Sequence, residues 1–429
     1  MFQVFRNAWK IEELRKKILF TLFIILLYRI GNAVPVPYID SDLLQNYFSS
    51  LQNTVLGLYN VMSGNAFSQA TIFALSIQPY INASIIIQLL TVAIPALERL
   101  QKEGGEEGRK KITAISRYTT VGIGAIMGLA YYLMIRNYNL LSENGSTVWA
   151  GIVIVVTFAA GSALLMWLGE QVTEFGIGNG ISIILFASIV SRLPSALTTM
   201  ITNLSTGALS VVAFIGIIIS VAIIVVLIVF VSNAERRIPV QYAKRVVGRK
   251  MYGGQSTHLP MKVNMSGVMP VIFAQSIAML PATIAGFLPK PAVGSFWDGF
   301  LKAIDTDSIL YMVVYFLLII AFGYFYSTIQ FNPIEVANNL KKNGGFIPGF
   351  RAGKPTSEFI RKVLNRITLF GSLYLGIVAA LPIAFSNVTK SAGISLGGTS
   401  IIIVVGVAIE IVQSLESQML MRHYKGFLE

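Results

Sequence analysis

Long apolar runs alternate with short polar segments along the whole chain, and the runs, not the polar segments, take up most of its length. Ten runs approach membrane-span length, about 20 residues for a helix crossing about 30 Å of hydrocarbon. The first five are Ile18–Val36, Ala70–Ile94, Tyr118–Ile135, Val148–Leu168 and Gly180–Ala196. The second five are Ala208–Val231, Met265–Leu288, Ile309–Ile329, Ile367–Phe385 and Thr399–Val412. One stretch breaks the pattern. From Gly57 to Ser68 the chain is weakly apolar and interrupted by Asn60, Ser63, Gly64 and Asn65, and it leads into a run that carries Pro79, Asn82 and Gln88. Irregular backbone at membrane depth is tolerated only where protein covers it or it lines a cavity. Two readings stand: a surface loop before a kinked helix, or a broken element on a central pathway.

Composition agrees with the runs. Hydrophobic residues make up 54% of 429 positions and charged residues 12%, about half the usual soluble share. This excludes an ordinary soluble domain. The chain has no cysteine, and only His258 and His423 offer imidazole, far apart in sequence, so no metal centre or cofactor is expected. Arg15, Lys16 and Lys17 ahead of the first run imitate a signal peptide, but the run continues into Tyr28-Arg29-Ile30-Gly31 with no small-residue cleavage pattern, and reads as a retained span.

Charge then orients the runs. With ten spans, segments on one side hold 27 of the 33 Lys and Arg residues, and the other side only Arg29, Arg136, Arg192, Lys290, Lys302 and Lys390. The positive-inside bias places both termini in the cytoplasm. Two groups of five spans, residues 1–196 and 197–429, joined by a polar linker Pro194–Gly207, enter the membrane from opposite sides, an inverted arrangement that places a pathway at the interface. The cytoplasmic loops 232–264 and 330–366 are long and basic, and Arg236–Arg245 alternates enough to predict a short hairpin. Such loops either hold topology and attract anionic lipid, or form a docking surface for an acidic or nucleic-acid partner.

Several motifs are longer than chance allows. They are Pro79-Tyr80-Ile81-Asn82-Ala83-Ser84-Ile85-Ile86-Ile87-Gln88-Leu89-Leu90, Gly169-Glu170-Gln171 with Gly176-Ile177-Gly178-Asn179-Gly180-Ile181-Ser182, Ser256-Thr257-His258-Leu259-Pro260 with Lys262-Val263-Asn264-Met265, and Asn339-Leu340-Lys341-Lys342 with Phe346-Ile347-Pro348-Gly349. On these the chain resembles the SecY family, the large subunit of the bacterial protein-conducting channel. Phe175 and Ala352 depart from the arginine and proline frequent there.

The resemblance implies an all-α membrane protein of ten helices in two inverted halves around an hourglass pore, in the bacterial inner membrane. It places a constriction ring at Ile77, Ile81, Ile181, Leu185, Ile272 and Ile403, with Leu185 replacing the usual isoleucine. It makes Leu58, Tyr59, Asn60, Val61, Met62, Ser63, Gly64, Asn65 and Ala66 a plug, whose glycines and polar residues predict little apolar burial and easy displacement. Spans two, three, seven and eight become a lateral gate, with Gln88 and Asn264 as its polar candidates, and Arg249, Lys250 and Arg351 become contacts for the motor SecA or the ribosome. Expected partners are SecE-type and SecG-type small subunits, SecA, the ribosome, signal sequences with their polypeptides, and membrane lipid. No enzymatic activity is expected: the Gly-rich stretch 176–180 lacks a surrounding βαβ unit, and no nucleophile or zinc motif is present. The competing class is an inverted-repeat secondary transporter for a small solute. It is disfavoured because the mid-span runs are almost bare of ionisable residues, Glu410 being the nearest case.

Overall fold

The computed structural model describes residues 2–425 apart from 50–54, 143, 144, 146, 208, 209, 243, 244, 248, 249, 253–255, 266, 288–294, 296–298, 301, 302, 304–307 and 390–397. Each of the ten apolar runs carries a helix. The N-terminal elements are α1 (Phe2–Lys10), α2 (Glu12–Gly31), α3 (Ser41–Ser49), α4 (Val55–Met62), α5 (Gln78–Ala93), α6 (Pro95–Glu103), α7 (Gly105–Asn137), α8 (Val148–Phe175), α9 (Gly180–Val190), α10 (Leu193–Ser205) and α11 (Val211–Asn233). After four strands come α12 (Met269–Phe287), α13 (Ile309–Gln330), α14 (Pro333–Lys342), α15 (Lys354–Thr389) and α16 (Gly398–Lys425). Among the described residues, seven helices are long and apolar enough to cross a membrane, or eight if α5 and the first turns of α6, bent by 104°, count as one.

Local chemistry explains the boundaries. Thr147, Ser210 and Ser308 each cap the helix that follows by accepting a backbone N–H, which satisfies a donor the first turn leaves free. The bend between α5 and α6 falls at Ile94, whose extended backbone is the conformation proline imposes on the residue before it. Within the stretch 176–180, Gly178 takes φ +70°, and a Cβ on Gly180 would lie 1.8 Å from the Gly169 carbonyl oxygen. Asn179 then caps α9 through the amides of Ile181 and Ser182. That glycine run is a tight turn between two packed helices.

Two expectations are corrected. The second apolar run is helical only from Gln78; residues 70–77 are turns apart from a bridge at Thr71, and Pro79 sits in the first turn of α5, where its missing N–H costs nothing. The supposed linker is mostly α10, and the 196/197 division falls inside that helix. The alternation at 236–245 does belong to a hairpin. β1 (Glu235–Tyr242) pairs antiparallel with β4 (Ser256–Lys262), and β2 (Arg245–Val247) pairs with β3 (Lys250–Tyr252) in the same register, as two parts of one hairpin, while β5 (Gly345–Phe346) adds antiparallel to the other edge of β1. A small sheet therefore stands on an otherwise helical protein.

The main core runs through both halves. It includes Tyr28, Phe67, Ile81, Tyr131, Phe158, Leu185, Ile272, Tyr315 and Ile403. A second core, with Ile238, Val240, Met261, Ile347, Ile360 and Leu364, joins loop 232–264, loop 330–366 and the start of α15 into one body. By contrast α11 buries little besides Ile228 and Val231, as a helix facing lipid does.

Candidate functional site: a sealed aliphatic cluster and its plug

The six aliphatic residues expected at the constriction come from four helices or their caps, and all lie in or against one hydrophobic core. Ile77, Ile81, Leu185, Ile272 and Ile403 are all buried in the main core, and Ile181, half-buried, packs against it. Ile77 precedes α5 as its cap, and the Ile81 amide donates to the Ile77 carbonyl, so the two share one face. All six side chains are aliphatic, and a constriction lined by such side chains sheds water.

The expected plug lies against the cluster. α4 packs on both α9 and α12, and the turns after it run back to α5. Here burial contradicts the composition. Tyr59, Met62, Ser63 and Ala66 are at most 3% exposed, while Asn60, Val61, Gly64 and Asn65 are half-buried and the Leu58 side chain lies outside the described set. The segment is gripped, not loosely held. Phe67 sits among the rings of Phe48, Tyr59 and Tyr131, at centroid distances of 4.7 to 5.2 Å. Three tyrosines fasten this irregular backbone by donating to its carbonyls, two of which also accept a backbone amide: the Tyr28 hydroxyl donates to Ser63 O (3.2 Å), Tyr59 to Leu75 O (3.1 Å) and Tyr131 to Phe67 O. Tyr28 also shares a 2.6 Å hydrogen bond with Ser188 of α9 and stacks on Phe73. The same stretch holds Asn65, Ala70 and Ser76 at φ +73°, +45° and +52°. For residues with a Cβ such angles cost energy, of order 1–3 kcal/mol each, unless packing imposes them.

One consequence is testable directly. Tyr28→Phe keeps the stack on Phe73 but removes the hydrogen bonds to Ser63 O and Ser188, leaving Ser63 O only the longer 3.4 Å bond from the Ala66 amide, at a cost of about 0.5–1.5 kcal/mol. The expected outcome is a several-fold rise in resting ion conductance in planar bilayers with little change in expression. An unchanged resting conductance would show that this hydroxyl does not hold the segment down.

The expected gate helices also assemble. α5 packs on α7, α12 packs on α13, and α12 meets both α5 and α7 along one seam. The polar contact across that seam is Gln78 Nε2 to Ser276 Oγ, 3.0 Å, with both side chains buried. Asn82, one turn beyond Gln78, and Gln275, beside Ser276, each bury a side-chain oxygen without a partner. Gln88 and Asn264 are not brought together. Gln88 donates to Ser84 on its own helix, and Asn264 lines a small cavity with Gly323, Thr368 and Ser372, against α13 and α15. Sequence reasoning passed over Gln78 and Ser276; the available signal was two hydrogen-bonding side chains within otherwise apolar runs.

On the sheet-bearing side, Arg351 is exposed in the turn after β5, and its carbonyl accepts from the buried Thr356 (2.7 Å). Lys250 opens β3, with its side chain outside the described set, and Arg249 lies outside the described residues. Among the described residues no cluster of His, Asp or Glu is placed to hold a metal.

Comparison with known proteins bears on this geometry. The SecY family model matches residues 71–412. A protein from Streptomyces scabiei named protein translocase subunit SecY is 47% identical over 442 residues, covering 100% of both chains. Two solved structures share the fold at TM-scores of 0.66 and 0.63, with 19% and 18% identity and coverage of 94% of this chain and 92% of theirs. One is described as showing that the SecY plug domain stabilises the closed translocation channel and maintains a membrane seal; the other is Sec61 in a canine ribosome–channel complex. None of these supports the solute-transporter reading. Matched over residues 71–412 by the family model, and along all of its length by a relative of almost half identity, the chain belongs to the SecY family.

Proposed function

We propose that this chain is the pore-forming subunit of a protein translocase in a bacterial inner membrane, with both termini cytoplasmic and with no enzymatic activity of its own. It passes unfolded polypeptides through the aliphatic cluster and releases apolar segments between α5/α7 and α12/α13. The observation that supports this reading is that Ile77, Ile81, Ile181, Leu185, Ile272 and Ile403 lie in or against one apolar core to which α4 also contributes, beside the seam where α12 meets α5 and α7. A polar chain needs no binding site in such a constriction, only a ring that closes around it and excludes water and ions. The unpartnered oxygens of Asn82 and Gln275 suit the seam to open: each costs about 1–3 kcal/mol while dry and would gain a partner when water or a polar chain enters.

The work comes from outside. The platform built by β1, β4, β5 and α14 carries Arg351, with Arg249 and Lys250 in the same loop system, and suits an acidic motor surface or ribosomal RNA. SecA and the ribosome fill these roles, SecE-type and SecG-type subunits cover lipid-facing helices, and signal sequences enter at the seam. The test is reconstitution of the chain with a SecE-type subunit in vesicles, followed by protease protection of a preprotein. Protection that requires both SecA and ATP is expected; none under any partner combination would refute the proposal.

The plug assignment has its own check. Deleting Leu58 to Ala66 removes Tyr59, Met62 and Ser63 from the core. An assembled channel with raised ion leak and a lower unfolding temperature is expected, and a deletion as tight as the intact channel would overturn the assignment.

A further inference from the structure

Helix α1 divides its surface in three. Val4 and Ala8 turn inward, and with Ile11 they join Leu14, Ile18, Ile177 and Leu415 in a small core against α2 and α16. Phe5 and Trp9, four apart and so on one face, are 41% and 47% exposed. Arg6 and Lys10 follow one residue after each ring, which sets two exposed cations along the edge of the aromatic face. A helix with a separate inward face has its burial already satisfied, so the exposed rings need another explanation.

Position supplies it. α2 starts two residues after α1 ends, and its lipid-side stripe begins soon after, with Leu19, Leu22 and Phe23 each about half exposed. The exposed rings of α1 therefore lie on the element that directly precedes the first apolar span, where a chain entering a bilayer crosses from headgroups to hydrocarbon. Residues 1–17 carry five cations, Arg6, Lys10, Arg15, Lys16 and Lys17, against two carboxylates, Glu12 and Glu13, one of which pairs with Lys16. We propose that α1 lies in the bilayer surface and binds anionic lipid, with Phe5 and Trp9 among the upper acyl carbons and Arg6 and Lys10 on the headgroup phosphates. Long cationic side chains beside an aromatic face suit that depth, their stems in the apolar layer and their charges out of it. The proposal does not depend on the channel function.

Trp9 reports on its own surroundings once the other three tryptophans are removed by Trp149→Phe, Trp167→Phe and Trp297→Phe. The purified chain is placed in bilayers of phosphatidylglycerol and phosphatidylcholine carrying spin labels near the top or the end of the acyl chain. The shallow label is expected to quench Trp9 about twofold more than the deep one, with iodide quenching weak, as for an interfacial ring. Replacing the anionic lipid, or introducing Arg6→Gln with Lys10→Gln, should weaken the shallow quenching and admit iodide. Three results would overturn the proposal: free access of iodide to Trp9 in anionic bilayers, which places it in water; silence to both labels and to iodide, which means protein covers it; and equal quenching with and without anionic lipid, which removes the headgroup contact.

Discussion

Ile403→Asn should raise the fraction of open channels about tenfold and let substrates with defective signal sequences through. Ile403 is 1% exposed within the main core, so the substitution sets an amide among apolar side chains. Burying one isoleucine side chain is worth about 1.5–3 kcal/mol relative to exposure. An unsatisfied buried amide costs about 1–3 kcal/mol. Both effects destabilise the dry, closed arrangement, while in a wetted opening the amide finds water. A differential of only about 1.4 kcal/mol gives the tenfold shift while opening is rare. A signal sequence opens the channel by binding energy, so a channel that opens more cheaply needs less of it. The control is Leu420→Asn on the same helix, at a position 68% exposed. Export of a signal-defective reporter by the first variant and not the second is expected. Equal export by both would mean that polarity anywhere along α16 loosens the protein.

Arg351→Glu should reduce translocation to background while leaving the protein folded. Its side chain is exposed, but its backbone is fastened on two sides: Thr356 donates to its carbonyl, and the neighbouring Phe350 ring packs on Phe359 at 4.2 Å. The charge is therefore held at a defined place on the platform. Exposed substitutions away from packing features usually change stability by less than about 0.5 kcal/mol. A docking contact responds differently, because reversal replaces attraction by repulsion against an acidic or phosphate partner. Normal preprotein transport by a well-expressed Arg351→Glu channel would remove this residue from the docking surface. A defect that high salt deepens, in place of one that tracks partner binding, would point instead to damage within the platform.

Hydropathy read the depth of the chain well and its backbone less well. Ile309 begins both the apolar run and α13, because Ser308 caps the helix where polarity changes. Elsewhere the two boundaries separate. α7 begins at Gly105, thirteen residues before its apolar run, since Glu106, Arg109 and Lys110 suit a helix as well as any apolar residue and only lipid excludes them. The reverse error occurs at Ala70–Ile77, apolar enough for a span yet irregular, where Val36 and Val34 bond Ala70 O and Ile72 N and the rest of the backbone closes local turns. The six aliphatic positions were singled out through family resemblance, not pattern: nothing local separates Ile272 from Ile277 on the same helix. The tyrosine contacts to Ser63, Leu75 and Phe67 were not legible at all, since two of the three donors lie on other elements and more than thirty residues away. For the same reason Gln78 and Ser276 escaped notice, their meaning arising only when α5 and α12 lie side by side.

The pairing of Gln241 with Phe346 has a consequence for how the protein is made. β1 and β4 close a short loop and can pair soon after synthesis, but the β5 side of β1 must wait for a segment roughly 100 residues later. At about 5–20 residues per second, that edge stays open for some 5–20 seconds. During this interval α12 and α13 emerge and must be placed in the bilayer. The platform that presents Arg351 can close only after both, so a nascent chain completes this small sheet only once α12 and α13 have been made. A ribosome stalled before Gly345 would hold a chain with an unpaired β1 edge, and, on the proposed function, an incomplete docking surface.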